Sequence, residues 1–277
     1  MEWRKRFSSS IRKAVLLPLP NATGITSTAS DTEAVNSVAD NFVVVALYGE
    51  TGLCFCRPGD EAWIELSLAW TEELNQRGPI VFQNVIWYNR QLYAVDKDYN
   101  LTIVELGLHP RSTRLNLPCP AGYDRKNGES QQRIYLVESG GELLMVVQTW
   151  SWERAGLPTL WGIPPHPPLM TTKFNVFKLD LRGHCWIKVE SLGDRMLFVG
   201  NSSGISVVSA SYFSGFKGNC IYFIGGIFTQ FAFMKNGPKP IGYLGVYSLE
   251  EGNIKSPFPR GSHSSGCFPF WFMPSPL

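Results

Sequence analysis

Short apolar runs separated by turn residues dominate the chain from residue 40 onward. Runs of four to eight residues that are rich in β-branched and aromatic side chains, with Gly, Pro or Asn between them, are typical of β-strands. The pattern predicts roughly sixteen strands. Fifteen of them have clear bounds, namely Ile11–Leu16, Phe42–Leu47, Leu53–Cys56, Trp63–Leu66, Val85–Tyr88, Leu92–Val95, Leu101–Leu106, Ile134–Val137, Leu143–Thr149, Phe174–Leu179, Trp186–Val189, Met196–Val199, Ile205–Ser209, Cys220–Ile224 and Leu244–Leu249. Only Trp70–Gln76 could form a short helix, and we expect 42–66 to be an antiparallel unit with Trp63 buried.

A repeated phrase connects these strands. A turn containing Gly or Asn precedes an apolar strand at Asn89–Asp96, Gly140–Val146, Gly193–Gly200 and Gly218–Gly225. Self-similar groups of short strands are typical of β-propeller blades, including those of the kelch type. We therefore predict an all-β, propeller-like fold of about four to five kelch-like blades. That number is the lower end for a closed ring, so an incomplete ring is the alternative.

Composition changes sharply at both ends of this region. Residues 1–35 form a basic, Ser-rich segment, and residues 258–277 form a tail rich in Pro and aromatic side chains. The propeller-like domain is expected to occupy 36–257 between them.

The longest interruption of the strand pattern is predicted to be a loop at 150–172. This stretch holds five prolines, which cannot continue a β-ladder, together with Trp150, Trp152 and Trp161. Because Trp dominates interface hot spots, these three residues form our candidate interaction loop. The alternative is a loop that folds back over its own rings, and the sequence does not separate the two.

Charge and cysteine content narrow the class of function. Charged residues make up 17% of the chain and the formal net charge is +2, which provides no field to hold nucleic acid or an anionic membrane. No apolar run is long enough to span a bilayer. The six cysteines are scattered and suggest a reducing compartment, so we expect a cytoplasmic or nuclear protein. The alternative is import into a mitochondrion or chloroplast, because residues 1–30 resemble a transit peptide.

The sequence contains short motifs that resemble catalytic or metal-binding sites, but the residues around them do not fit those roles. Gly200–Gly204 matches G-x-S-x-G, but a β run follows where a helix is required, so we expect a hairpin turn and no nucleophilic role for Ser202. Asp96–Asn100 begins like a calcium loop without its Gly and Glu, which predicts a polar turn. Cys54 and Cys56 lie two apart on a strand and are expected to be buried thiols. We therefore predict no catalytic, cofactor or metal site.

Four segments, in this order, resemble the plant family called domain of unknown function 295, also known as the KIB-type β-propeller. They are Phe55–Trp63, Asn89–Asp96, Val189–Phe198 and Lys217–Phe223. Many members of that family are F-box proteins, which place an F-box before the propeller. They therefore resemble substrate receptors of Skp-cullin-F-box ubiquitin ligases.

This chain departs from the usual layout of that family. An F-box is a three-helix unit, and Pro18, Pro20 and Gly24 break any helix before Phe42. We therefore expect neither an F-box nor the first part of the propeller, and no binding to the Skp adapter. The predicted function is a non-enzymatic protein-interaction module whose protein partner is unknown. The alternatives are an organellar family member of unknown role and a propeller enzyme with a polar axial pocket.

Overall fold

The computed structural model of the protein describes residues 11–18, 42–49, 52–66, 80–106, 110–120, 131–152, 169–200, 204–207, 209–225 and 243–255. The secondary structure of these residues consists of β-strands and one short 3-10 helix, η1. The elements are β1 (Ile11–Pro18), β2 (Phe42–Tyr48), β3 (Gly52–Cys56), β4 (Ile64–Glu65), β5 (Phe82–Tyr88), β6 (Gln91–Asp96), β7 (Leu101–Glu105), β8 (Arg111–Leu115), β9 (Gln131–Ser139), β10 (Glu142–Trp152), β11 (Leu169–Asp180), β12 (Cys185–Val189), β13 (Met196–Val199), β14 (Gly204–Val207), η1 (Ala210–Tyr212), β15 (Cys220–Gly225), β16 (Tyr243–Ser248) and β17 (Asn253–Lys255).

The strands form four separate sheets. Three are four-stranded antiparallel meanders in chain order, namely β1-β2-β3-β4, β5-β6-β7-β8 and, read from the other edge, β12-β11-β10-β9. The fourth sheet has five strands in the order β14-β13-β15-β16-β17. A four-stranded meander is the blade unit of a β-propeller, so the prediction of an all-β fold built from blades is confirmed.

Tight turns with positive φ close two of the hairpins. Asn89 and Arg90 (φ 46° and 62°) join β5 to β6, and Gly140 and Gly141 (φ 61° and 78°) join β9 to β10. Two-residue turns with both residues in the left-handed region match the twist of the flanking strands. These turns explain why the repeated phrase of the sequence marks the hairpins.

The chain divides into two compact units, Met1–Asn116 and Leu117–Leu277. In the first unit, apolar side chains of the first two sheets form one core. Its buried members are Leu17, Val43, Val45, Leu47, Leu53, Phe55, Phe82, Val85, Leu92, Ala94 and Val104. Burying a Val, Leu or Phe fully contributes about 1.5–3 kcal/mol each, so this cluster is a main source of stability of the unit.

The second unit has its own core between the third and fourth sheets. Two ring pairs lie within it, Phe174 with Phe223 (centroids 4.9 Å apart) and Phe174 with Tyr247 (5.4 Å). The buried members are Tyr135, Val137, Leu144, Val146, Phe174, Val176, Leu192, Leu197, Val199, Ile221, Phe223 and Tyr247.

The fourth sheet departs from a meander at its centre. Strand β13 pairs antiparallel with β14 and parallel with β15. Parallel neighbours need a crossover connection, and here the chain between Val207 and Cys220 supplies it and includes η1. The predicted series of consecutive strands did not anticipate this connection.

Several local predictions are corrected by the structure. Trp63 is half-buried, so the expectation of a buried ring is wrong, because it precedes the two-residue outer strand β4. Strands β8 and β17 were not predicted, since Arg111–Leu115 is polar and Asn253–Lys255 is short. The helix expected at Trp70–Gln76 lies outside the described residues.

The predicted loop at 150–172 is also wrong in its bounds. Strand β10 continues to Trp152 and β11 begins at Leu169, so the ladder includes residues that we expected to leave the sheet. Among the described residues, no helix has the length and apolarity needed to cross a membrane.

Candidate interaction site

A chain of hydrogen-bonded polar side chains connects β9, the end of β10 and the beginning of β11. The Tyr135 hydroxyl donates to Gln148 Oε1 (2.8 Å), and Gln148 Nε2 donates to Thr171 Oγ1 (2.8 Å). The Trp150 indole Nε1–H donates to the same Thr171 oxygen (3.0 Å). Gln148 is 0% exposed, and burial raises the pKa of Tyr135. The groups satisfy one another, as buried polar groups must.

Trp150 takes part in this network. A β-bulge at Thr172 places Thr171 opposite Trp150, and the Arg133 guanidinium lies 5.7 Å from the centre of the indole ring. Trp150 is half-buried and held on two sides, which favours a structural role over that of an exposed interface anchor. The backbone of Trp152 pairs with Leu169, and Trp161 lies outside the described residues.

Each of the two candidate strings of the sequence begins at or just after the end of a strand. Gly200–Gly204 separates β13 from β14, which pair antiparallel, so the expected hairpin is confirmed, while Ser202 itself lies outside the described residues. Asp96 ends β6, accepts the backbone N–H groups of Asp98 and Asn100, and forms an ion pair with Arg114. Burial raises the pKa of Asp96, an effect that Arg114 and the backbone donors oppose. The Asp96 carboxylate is thus occupied in holding the turn.

The expectation of buried thiols on β3 is met by Cys54 and not by Cys56. Cys54 is buried and its Sγ donates to the Ala46 carbonyl (3.6 Å), whereas Cys56 is half-buried. Burial raises the pKa of Cys54 to about 12 and that of Cys56 in the same direction. Both groups are therefore protonated thiols at neutral pH, a poor state for nucleophiles or metal ligands. In the described part of the chain, no three His, Cys, Asp or Glu side chains are grouped to hold a metal ion.

The most exposed aromatic surface of the described residues lies on the crossover of the fourth sheet. We call residues 209–217 the aromatic turn. Tyr212 is 85% exposed, Phe213 48% and Phe216 42%. Phe216 packs on Tyr222 (centroids 5.1 Å apart) and on Phe198 (5.9 Å). The strand pattern did not mark this segment as a site, although the run Tyr212-Phe213-Ser214-Gly215-Phe216 lies between two predicted strands.

Asp194 holds the beginning of the aromatic turn. Its carboxylate Oδ2 accepts hydrogen bonds from the hydroxyls of Ser209 (2.5 Å) and Ser211 (3.0 Å), and its backbone carbonyl accepts the N–H of Ala210 (2.9 Å). The two hydroxyls lower the pKa of Asp194, so the carboxylate is anionic at neutral pH. The aromatic turn is therefore attached to the turn that precedes β13.

The end of the turn is attached as well. The backbone N–H of Lys217 donates to the Tyr222 hydroxyl (2.8 Å). A Cβ on Gly218 would lie 2.7 Å from Asp194 Cα, so only glycine permits this close approach of the two backbones. With both ends fixed, the exposed rings are displayed by a defined backbone.

A family model described as KIB1-4 beta-propeller matches residues 11–248. This protein belongs to the KIB1-4 beta-propeller family. The resemblance noted in the sequence is confirmed, and the four sheets are blades of that fold.

Curated relatives of this family member are F-box proteins of Arabidopsis thaliana. F-box protein SKIP23 is 26% identical over 77% of this chain and 49% of its own length. Putative F-box protein At5g55150 is 26% identical over 88% and 60%, and F-box protein At2g26160 is 31% identical over 61% and 45%. The chain thus spans about half the length of these relatives.

This chain is also similar to a solved structure, the Cps50 (Swd1) beta-propeller domain of Myceliophteria thermophila. It is 11% identical, with 80% of this chain and 57% of that chain covered and a TM-score of 0.32.

Proposed function

We propose that this KIB1-4 beta-propeller protein is a non-enzymatic interaction module that binds a protein partner through the aromatic turn. The observation that carries the proposal is the exposure of Tyr212, Phe213 and Phe216 on a turn that is fixed at both ends. Phe213 and Phe216 lie beside each other in this turn (ring centroids 6.4 Å apart), and exposed clusters of apolar side chains serve as interaction sites.

The physical chemistry of the aromatic turn suits protein recognition. Tyr and Trp, together with other aromatic rings, supply large contact area at low entropic cost, and they are enriched among hot spots. A turn that is already ordered loses little further freedom when a partner binds. The relatives are named F-box proteins. For this chain we propose recognition of a partner by the propeller, without a catalytic step.

The test compares three forms of the tagged chain in plant extracts. The double variant Tyr212→Ala, Phe213→Ala removes two of the rings. The control Leu181→Ala, Ile187→Ala removes exposed apolar side chains from the β11–β12 hairpin. Proteins captured by each form are quantified by mass spectrometry, and the strongest candidate is purified for a binding measurement.

We expect the wild type and the control to capture the same partner and the double variant to lose it by at least about tenfold, the loss produced by removing about 1.4 kcal/mol of binding energy. Equal capture by all three forms would contradict the proposal. Circular dichroism and thermal unfolding of the three proteins confirm that each is folded.

A further inference from the structure

Two hydroxyl groups that can be modified take part in the attachment of the aromatic turn to Asp194, beside the backbone N–H of Ala210. Ser211 Oγ lies 3.0 Å from Asp194 Oδ2 and 2.6 Å from Ser209 Oγ. Ser211 is exposed, whereas Ser209 is half-buried. Of the two serines bonded to Asp194, Ser211 is therefore the more accessible to a modifying enzyme.

We propose that Ser211 is a phosphorylation site and that phosphate on it detaches the start of the aromatic turn from Asp194. The inference rests on the proposed function, because it regulates the surface assigned there to the partner. The phosphate donor is a nucleoside triphosphate used by a protein serine kinase. The Ser211 Oγ–P bond forms, the bond from the γ-phosphorus to the bridging oxygen breaks, the hydroxyl proton passes to the base of the kinase and the nucleoside diphosphate leaves.

Electrostatics determines the direction of the effect. The serine hydroxyl donates a hydrogen bond to the Asp194 carboxylate, and phosphorylation removes this donor while adding about −1.5 to −2 charges beside an anion. None of the ion pairs between described residues includes Asp194, so among these residues no bound cation offsets the added charge. Like charges within a few ångströms repel, and the contact is broken.

The consequence is confined to the turn. The backbone bond from Ala210 to Asp194 and the bond from Phe213 to the Ala210 carbonyl (both 2.9 Å) lie next to the modified residue. At the far end, the Lys217 bond to Tyr222 does not involve the cluster. Phosphorylation should therefore free Ala210–Phe213 and lower affinity for the partner while the sheet stays folded.

The experiment installs phosphoserine at position 211 of the full chain by genetic code expansion. Phosphoserine at Ser214 is the matched control, because this exposed residue lies in the same turn and makes no bond to Asp194. Hydrogen exchange of the Ala210 and Phe213 amides is measured by NMR. We expect exchange at least about tenfold faster with phosphate on residue 211 and unchanged with phosphate on residue 214, whereas Cys220–Ile224 stays protected in both.

Asp194→Asn separates charge repulsion from simple steric effects. In the protein phosphorylated at residue 211, this variant removes the like charge and should restore most of the lost protection. Exchange like that of the unmodified protein, or no restoration by Asp194→Asn, would overturn the inference. So would the absence of phosphate on Ser211 in chain recovered from plant cells with phosphatase inhibitors present.

Partner capture distinguishes this inference from the proposed function. If phosphate frees the turn but capture of the partner is unchanged, the proposed function is wrong and the switch stands. If the turn stays protected while the Tyr212→Ala, Phe213→Ala variant loses capture, the switch is wrong and the proposed function stands.

Discussion

Thr171→Val tests whether the buried polar network holds the β10–β11 hairpin. The substitution removes one oxygen and keeps the shape of the side chain. Gln148 Nε2 and Trp150 Nε1 both donate to that oxygen, at 2.8 Å and 3.0 Å. Gln148 is 0% exposed, so water cannot replace the lost acceptor, and an unsatisfied buried donor costs about 1–3 kcal/mol. The expected loss counts the Gln148 donor alone, because Trp150 is only half-buried.

The assay is urea unfolding of the full chain, followed by tryptophan fluorescence and circular dichroism. We expect the free energy of unfolding to fall by about 1–3 kcal/mol for Thr171→Val. Thr171→Ser keeps the oxygen and should lose less. Thr172→Val is the matched control, because this neighbouring residue is exposed and its hydroxyl only donates to the Thr149 carbonyl (3.3 Å). Its stability should change by about 0.5 kcal/mol or less.

A decrease in the free energy of unfolding below about 0.5 kcal/mol for Thr171→Val would refute the reasoning, because a buried donor without an acceptor costs more than that. Equal losses for Thr171→Val and Thr172→Val would also refute it. They would show that removing the acceptor shared by Gln148 and Trp150 costs no more than removing an exposed hydroxyl.

Two further predictions concern other parts of the chain. Burial lowers the pKa of Lys13, whose Nζ donates to Asn84 Oδ1 (2.7 Å), to about 7, whereas the unfolded chain keeps its proton until pH 10.5. Above pH 7 the unfolded state therefore binds more protons than the folded state. The free energy of unfolding, measured in urea, should rise by about 1.5 kcal/mol from pH 7 to 8.5 in the wild type and by less in Lys13→Met. Equal slopes for the two proteins would contradict this prediction. Purified Skp adapter should not be captured by the chain at micromolar concentration, because three helices of average length need about 40 residues and the longest stretch outside the described strands and turns, 19–41, is about half that. Stoichiometric capture would show that this prediction is wrong.

The periodicity of the sequence was enough to identify most of the strands and the fold class. Alternating and continuous apolar runs require one or two buried faces, and turn pairs such as Asn89-Arg90 and Gly140-Gly141 fit only tight hairpins. Local chemistry also removed the catalytic interpretation of Gly200–Gly204, since a strand follows it. These features depend on neighbours in the chain, which the sequence displays directly.

The sites depended on contacts between distant residues. Asp194 meets Ser209 and Ser211 only because β15 pairs parallel with β13, which forces the chain into a crossover. The strand content is the same for a meander, so periodicity cannot distinguish the two topologies. Trp150 shows the same limit, because its partner Thr171 lies 21 residues away in the chain. Exposure and hydrogen bonding of a side chain are properties of the packed sheets, and only the tertiary structure decides them.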